Sequence, residues 1–209
     1  MPSGYNRIAG QSVERLAALS DGIFAVAMTI LVLDLHTPAA ELIHDERGLQ
    51  HALLALAPRL LVYLMSFMTL GIFWVGQQTQ LNHLERSSRG LTWIHIGFLC
   101  VVCLVPFSTG LLAEFIEYRT ALFAYWLNIL LLGMMLYFSW TSATGNKLVQ
   151  DDLPAHVTSA ICRRIVIAQS LYAVGALLSF FSTYASITFI MLVQLNYVIA
   201  PRLPWNRDE

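Results

Sequence analysis

Charge is what this 209-residue chain has least of: Asp, Glu, Lys and Arg together make up 12% of it, and the formal net charge is −1. A soluble domain carries roughly twice that fraction, and a nucleic-acid footprint needs a basic excess that is missing here. No Gly-rich phosphate loop, no HExxH and no GxSxG occurs, so nothing points to an enzyme. Cys100 and Cys103 form a lone CxxC among Val and Leu with no second pair, and are read as buried structural thiols. His36, His44 and His51 are spread too widely along a loop for a metal site, so no metal and no cofactor is expected. There is no internal repeat, no low-complexity run and no long linker, which leaves one domain over residues 1–209.

What is abundant is apolar surface: 57% of residues are hydrophobic, and the mean hydropathy is +0.63. Stretches near the length that crosses a bilayer fall at residues 13–35, 53–75, 91–112, 121–142, 165–181 and 184–200. The expected fold is therefore an all-α membrane protein of six transmembrane helices per chain. The last two stretches are short and joined only by Ser182 and Thr183, which fits either a tight hairpin or a pair of tilted helices.

Basic residues set the orientation. With a cytoplasmic N-terminus, the inside segments hold Arg7, Arg15, Arg86, Arg89, Lys147, Arg163, Arg164, Arg202 and Arg207, against Arg47 and Arg119 outside and Arg59 near an outer helix end. By the positive-inside rule both termini face the cytoplasm. The outer loop carries Asp34, Glu41, Asp45 and Glu46, read as a solvated loop that can also concentrate cations at that mouth. The polar stretch from Thr144 to Arg164 is read as a cytoplasmic turn or short surface helix.

The first span holds the chemistry. Asp21 sits just inside an apolar helix, where an ionised carboxylate is costly without a partner. It also interrupts the apolar run in a way that a cleavable signal peptide avoids, so this segment is expected to be a retained span. At about 100° per residue, Val26, Ile30 and Leu33 fall within about 60° of one another, with Thr29 on the flank and Asp21 about 140° from Val26. Asp21 is thus expected to pair inside the protein wall, with Arg15, Trp74 and His95 as its polar candidates.

The run Arg15-xxx-Leu19-Ser20-Asp21, followed by Gly22 to Leu33, resembles the signature first helix of the transmembrane protein 175 family of potassium channels, whose motif is Arg-xxx-Phe-Ser-Asp. Leu19 replaces the Phe. Phe73-Trp74 late in the second span and Pro106-Phe107-Ser108-Thr109 late in the third support the likeness, while the last three spans match by hydropathy only. The resemblance implies a cation channel without a Thr-Val-Gly-Tyr-Gly filter, and none occurs. It further implies a homotetramer in which four first helices line one pore and K+ permeates. On that likeness the apolar constriction rings fall on Val26, Ile30 and Leu33, the potassium-selective polar layer on Thr29, and the helix-positioning network on Arg15, Ser20, Asp21, Trp74 and His95. A His that the family places after the second-span Trp is replaced by Gln77 or Gln78, and an early third-span Asn by His95. A contact between His95 and Asp21 would give pH-dependent gating a physical route.

A stripe of Val, Ile and Leu taken by itself reads first as a lipid- or helix-packing face; it is the Arg-xxx-x-Ser-Asp context that favours a pore. Two other classes stay open: a proton-coupled carrier using Asp21 and His95, and a scaffold packing through Gly and Ala faces. The expected partners are further copies of the chain, potassium ions and the bilayer, with no nucleic acid.

Overall fold

A computed structural model describes residues 12–199. The expected inside charges Arg7, Arg202 and Arg207, and Ala200 at the end of the sixth stretch, lie outside the described residues. Within them the chain folds as α1 (Val13–Ile30), a 3-10 turn (Leu31–Asp34), a second one (Ala40–Leu42), α2 (Glu46–Ala55), α3 (Ala57–Asn82), α4 (Arg89–Cys103), α5 (Val105–Glu114), α6 (Arg119–Gly145), α7 (Ala155–Leu178) and α8 (Thr183–Ile199). No strand forms among the described residues, only an isolated bridge between Leu84 and Val149.

Five segments are long and apolar enough to cross a membrane: Val13–Asp34, Ala57–Asn82, Arg89–Glu114, Arg119–Gly145 and Ala155–Leu178. The protein is a multi-pass membrane protein. A shorter apolar helix, α8, is described over the 17 residues Thr183–Ile199.

Two prolines break the helical path in the same way. Pro58 and Pro106 lack the N–H that would bond four residues back, and each ring crowds that carbonyl. The helix ends ahead of each, at Leu56 and Leu104, whose N–H groups turn to Leu53 O and Val101 O, both at 3.1 Å. The expected third stretch is therefore two helices, α4 and α5. The expected second stretch begins at Ala57 instead of residue 53 and runs on to Asn82, since the glutamines after Trp74 continue the helix.

The fifth stretch needs a larger correction. Expected from residue 165, it is helical from Ala155. Arg163 and Arg164 thus lie in the body of α7, and of the two readings of Thr144 to Arg164 the turn is the one that forms, at Asp151 and Asp152 just ahead of Pro154.

α6 runs through the middle, packed against α4, α5 and α7, while α8 closes on α3 and α7. A buried chain of polar side chains ties four of these helices together. Gln194 of α8 donates to Thr69 Oγ1 of α3 at 2.6 Å, Thr69 and the Tyr125 hydroxyl of α6 lie 2.9 Å apart, and Thr109 of α5 donates to Ser66 Oγ of α3 at 2.8 Å. Where neighbouring surface is as apolar as lipid, such bonds specify which helix faces which. α1 sits at the edge of the bundle, against α3, α4 and α5.

Candidate functional site

α1 starts at Ser12, whose hydroxyl accepts from Arg15 N–H at 3.2 Å and caps the helix. Its buried residues Leu16, Ser20, Phe24 and Ala27 recur at steps of four, four and three, and Leu31 extends the row. These form the face that packs on the bundle. The opposite face is left open: Val26 is 57% exposed, Ile30 42% and Leu33 69%, and Thr29 is exposed beside them.

One detail differs from a uniform helix. Ile30 ends the α-helical stretch, and Leu31–Asp34 winds as a 3-10 turn, in which residues three apart eclipse each other. Leu33 therefore stacks over Ile30 more closely than an unbroken α-helix would place it. Thr29 Oγ1 donates to Val26 O at 2.8 Å. With its proton held by the backbone, the hydroxyl turns oxygen lone pairs outward, the donor type that a bare alkali cation takes. Just above, the Asp34 carboxylate lies against the α-carbon of Gly110 in α5; a β-carbon there would come within 3.2 Å of both carboxylate oxygens.

The polar residues of the motif divide into two separate clusters. In the first, Ser20 donates to Leu16 O at 2.7 Å and lies 2.8 Å from His95 Nε2, while Gln77 Nε2 donates to Ser20 Oγ at 2.8 Å and sits 2.6 Å from His95 Nε2. All three are buried, His95 to 3% exposure. An amide nitrogen only donates, so His95 Nε2 accepts from Gln77 in this arrangement. In the second cluster, Trp74 Nε1 and Gln78 Nε2 each donate to Asp21 Oδ1 at 2.8 Å. Trp74 and Gln78 are four residues apart and share a face of α3.

Several expectations are corrected here. Asp21 lies at the surface of the single chain, not enclosed in its wall, because its two donors stand at the edge of the bundle. His95 does not contact Asp21: its Nε2 lies with Ser20 and Gln77, so the proposed His95–Asp21 route for pH gating is not formed. Arg15 is exposed and has no ion pair among the described residues, where Arg59 pairs with Glu114 at 2.5 Å. Cys100 and Cys103 are exposed, not buried. Gln77 and Gln78 complete the two clusters. The signal for them was an amide pair set one turn past Trp74 inside an apolar span, where any polar side chain needs a partner.

No three His, Cys, Asp or Glu side chains converge as a metal set among the described residues. The arrangement is therefore an open aliphatic stripe with a hydroxyl on its flank, borne on a helix held from behind by two hydrogen-bonded clusters.

Comparison with known proteins gives four findings. The family described as endosomal/lysosomal potassium channel TMEM175 matches residues 15–106. A potassium channel from Chamaesiphon minutus is 29% identical over 189 residues, covering 88% of this chain and 93% of the relative. An endosomal/lysosomal proton channel TMEM175 from Danio rerio is 22% identical over 206 residues, covering 95% of this chain but 39% of that relative. Among solved structures, the crystal structure of a lysosomal potassium-selective channel TMEM175 homologue from Chamaesiphon minutus superposes with a TM-score of 0.79 at 27% identity, over 91% of this chain and 98% of the other.

Proposed function

From the premise that the chain belongs to the TMEM175 family of ion channels, we propose that it is a potassium-selective cation channel, a single transmembrane domain with α8 as its sixth span, whose copies assemble as a homotetramer around four α1 helices. The observation that carries this reading is the open stripe of Val26, Ile30 and Leu33 on a helix whose opposite face is packed. One helix cannot enclose a pore, so that stripe needs equivalent stripes from other copies. Four aliphatic side chains at one level exclude water and ions when close, and pass a partly dehydrated ion when slightly apart.

The roles follow from size and chemistry. Val26 is the smallest of the three and forms the widest ring. Ile30, with Leu33 stacked on it by the 3-10 turn, carries the tighter constriction. Thr29 supplies oxygen lone pairs at the level between Val26 and Ile30. Asp21, held by Trp74 and Gln78, and Ser20, held by Gln77 and His95, fix the rotation of α1 about its own axis so that the stripe meets the pore. Arg15 contributes positive charge at the cytoplasmic end, with both termini on that side. K+ is the permeant ion and no cofactor takes part.

Reconstituted single-channel recording tests this. Ile30→Asn is expected to raise unitary conductance by wetting the constriction, and Thr29→Ala to shift the reversal potential toward equal K+ and Na+ permeability. Unchanged conductance in the Ile30 variant would remove this face from the pore. The carrier reading, with Asp21 and His95 exchanging protons, predicts slow saturating flux without unitary steps. It loses its geometric support because the two side chains belong to different clusters.

A further inference from the structure

A crevice of about 340 Å³ opens between α3, α6, α7 and α8, on the side of the bundle away from α1. This volume stands at the low end of ligand pockets, roughly 300–1,000 Å³. Its walls are largely apolar, with Ile72, Phe73, Gly76, Leu136, Ile165 and Ala168 among them. The pore machinery of α1 uses none of these residues.

Three polar features break the apolar lining. Tyr172 is 1% exposed, and its hydroxyl lies beside the Gln194 side chain. Gln169 lies against Gly133, where any β-carbon would collide with it, and donates from Nε2 to Ile129 O at 3.3 Å; its Oε1 is buried and unpartnered. Arg164 is the third. Its guanidinium lies 5.4 Å from the centre of the Tyr197 ring and has no carboxylate partner among the described residues. Arg164, Ala168 and Tyr172 are spaced by four, so they share one face of α7 over about 12 Å.

A cation at one point of a narrow apolar crevice matches a molecule with an anionic head and an apolar tail. We propose that this crevice binds an anionic phospholipid of the surrounding bilayer, its phosphate on Arg164 and one acyl chain running along α7 toward Tyr172. Charge complementarity selects the head: a guanidinium parked on an aromatic face keeps its N–H edge available for a phosphate. The proposal stands apart from which ion the pore conducts.

Native mass spectrometry of the detergent-purified protein tests it with two lipids of matched acyl chains, phosphatidylglycerol and phosphatidylcholine. Phosphatidylglycerol is expected to be retained about tenfold more tightly, the scale of one charge-assisted contact. Arg164→Gln is expected to abolish that preference, Arg164→Lys to keep part of it, and Arg163→Gln, outside the crevice, to keep all of it. Ala168→Phe, which fills the acyl path, is expected to weaken retention of both lipids. The Lys variant separates loss of charge from loss of folding. An undiminished preference in Arg164→Gln overturns the proposal, as does unaltered retention in Ala168→Phe. Displacement by inorganic phosphate at equal concentration would mean that the charge alone is bound, and would overturn it as well.

Discussion

At the residue scale, the conserved geometry of a hydrogen bond decides what each polar group in the first helix can do. Asp21 uses one oxygen, Oδ1, to accept from both Trp74 and Gln78. Asn keeps a carbonyl oxygen at that place and Ala does not. Asp21→Asn should therefore preserve assembly and current, while Asp21→Ala should reduce both and cost about 0.5–1.5 kcal/mol of stability, the net worth of a hydrogen bond at a partly exposed site. Thermal unfolding of the two purified variants, side by side, checks the order. The carboxylate and the need for its partner were legible in the sequence, because a charge inside an apolar run has few physical readings. Its actual donors were legible only in part. Trp74 was among the candidates, but the choice between Asp21 and Ser20 for His95 depends on a difference of one position in rotation, which a residue string does not resolve.

At the element scale, close helix approaches are set by glycine where no side chain intervenes. A β-carbon on Gly175 of α7 would stand 2.7 Å from Ile190 Cγ1 of α8, and Ser186 Oγ donates to Gly175 O at 2.6 Å across the same contact. Gly175→Val should separate the hairpin and lower stability by about 1–3 kcal/mol through overpacking, read as a drop in melting temperature against the unaltered protein. Hydropathy made the spans visible but not their ends. His156, Thr158, Ser159, Arg163 and Arg164 dilute the first turns of α7, so its start looked polar although the backbone is already helical. The break at Leu104 follows from Pro106, which was on view; the stretch remains one apolar span, Arg89–Glu114, built from two helices. The 3-10 ending of α1 had no such marker: Leu31, Val32 and Leu33 sit as readily in an α-helix.

At the scale of the whole molecule, the exposed surface tells which faces are unfinished. α1 leaves Leu19, Val26, Ile30 and Leu33 uncovered, and a groove of about 430 Å³ runs beside it, with Cys103 and Pro106 at the kink between α4 and α5 on its far wall. In a tetramer these surfaces meet their copies, so the mass of the detergent complex is expected at four chains, and a monomer in mild detergent would contradict the assembly. The membrane class and the family likeness were readable from composition and from the Arg-xxx-x-Ser-Asp run. The crevice behind α7 was not, because it is made by four helices distant in sequence.

The most direct test of the central claim is cysteine accessibility during K+ current. In a background with Cys100, Cys103 and Cys162 replaced by Ser, a cationic thiol reagent should block most of the current through Ile30→Cys channels. It should leave Leu31→Cys channels unaffected, since Leu31 is fully buried on the packed side of the same helix. Block at residue 31 with none at residue 30, or no block at either, would contradict the assignment of this stripe to the pore.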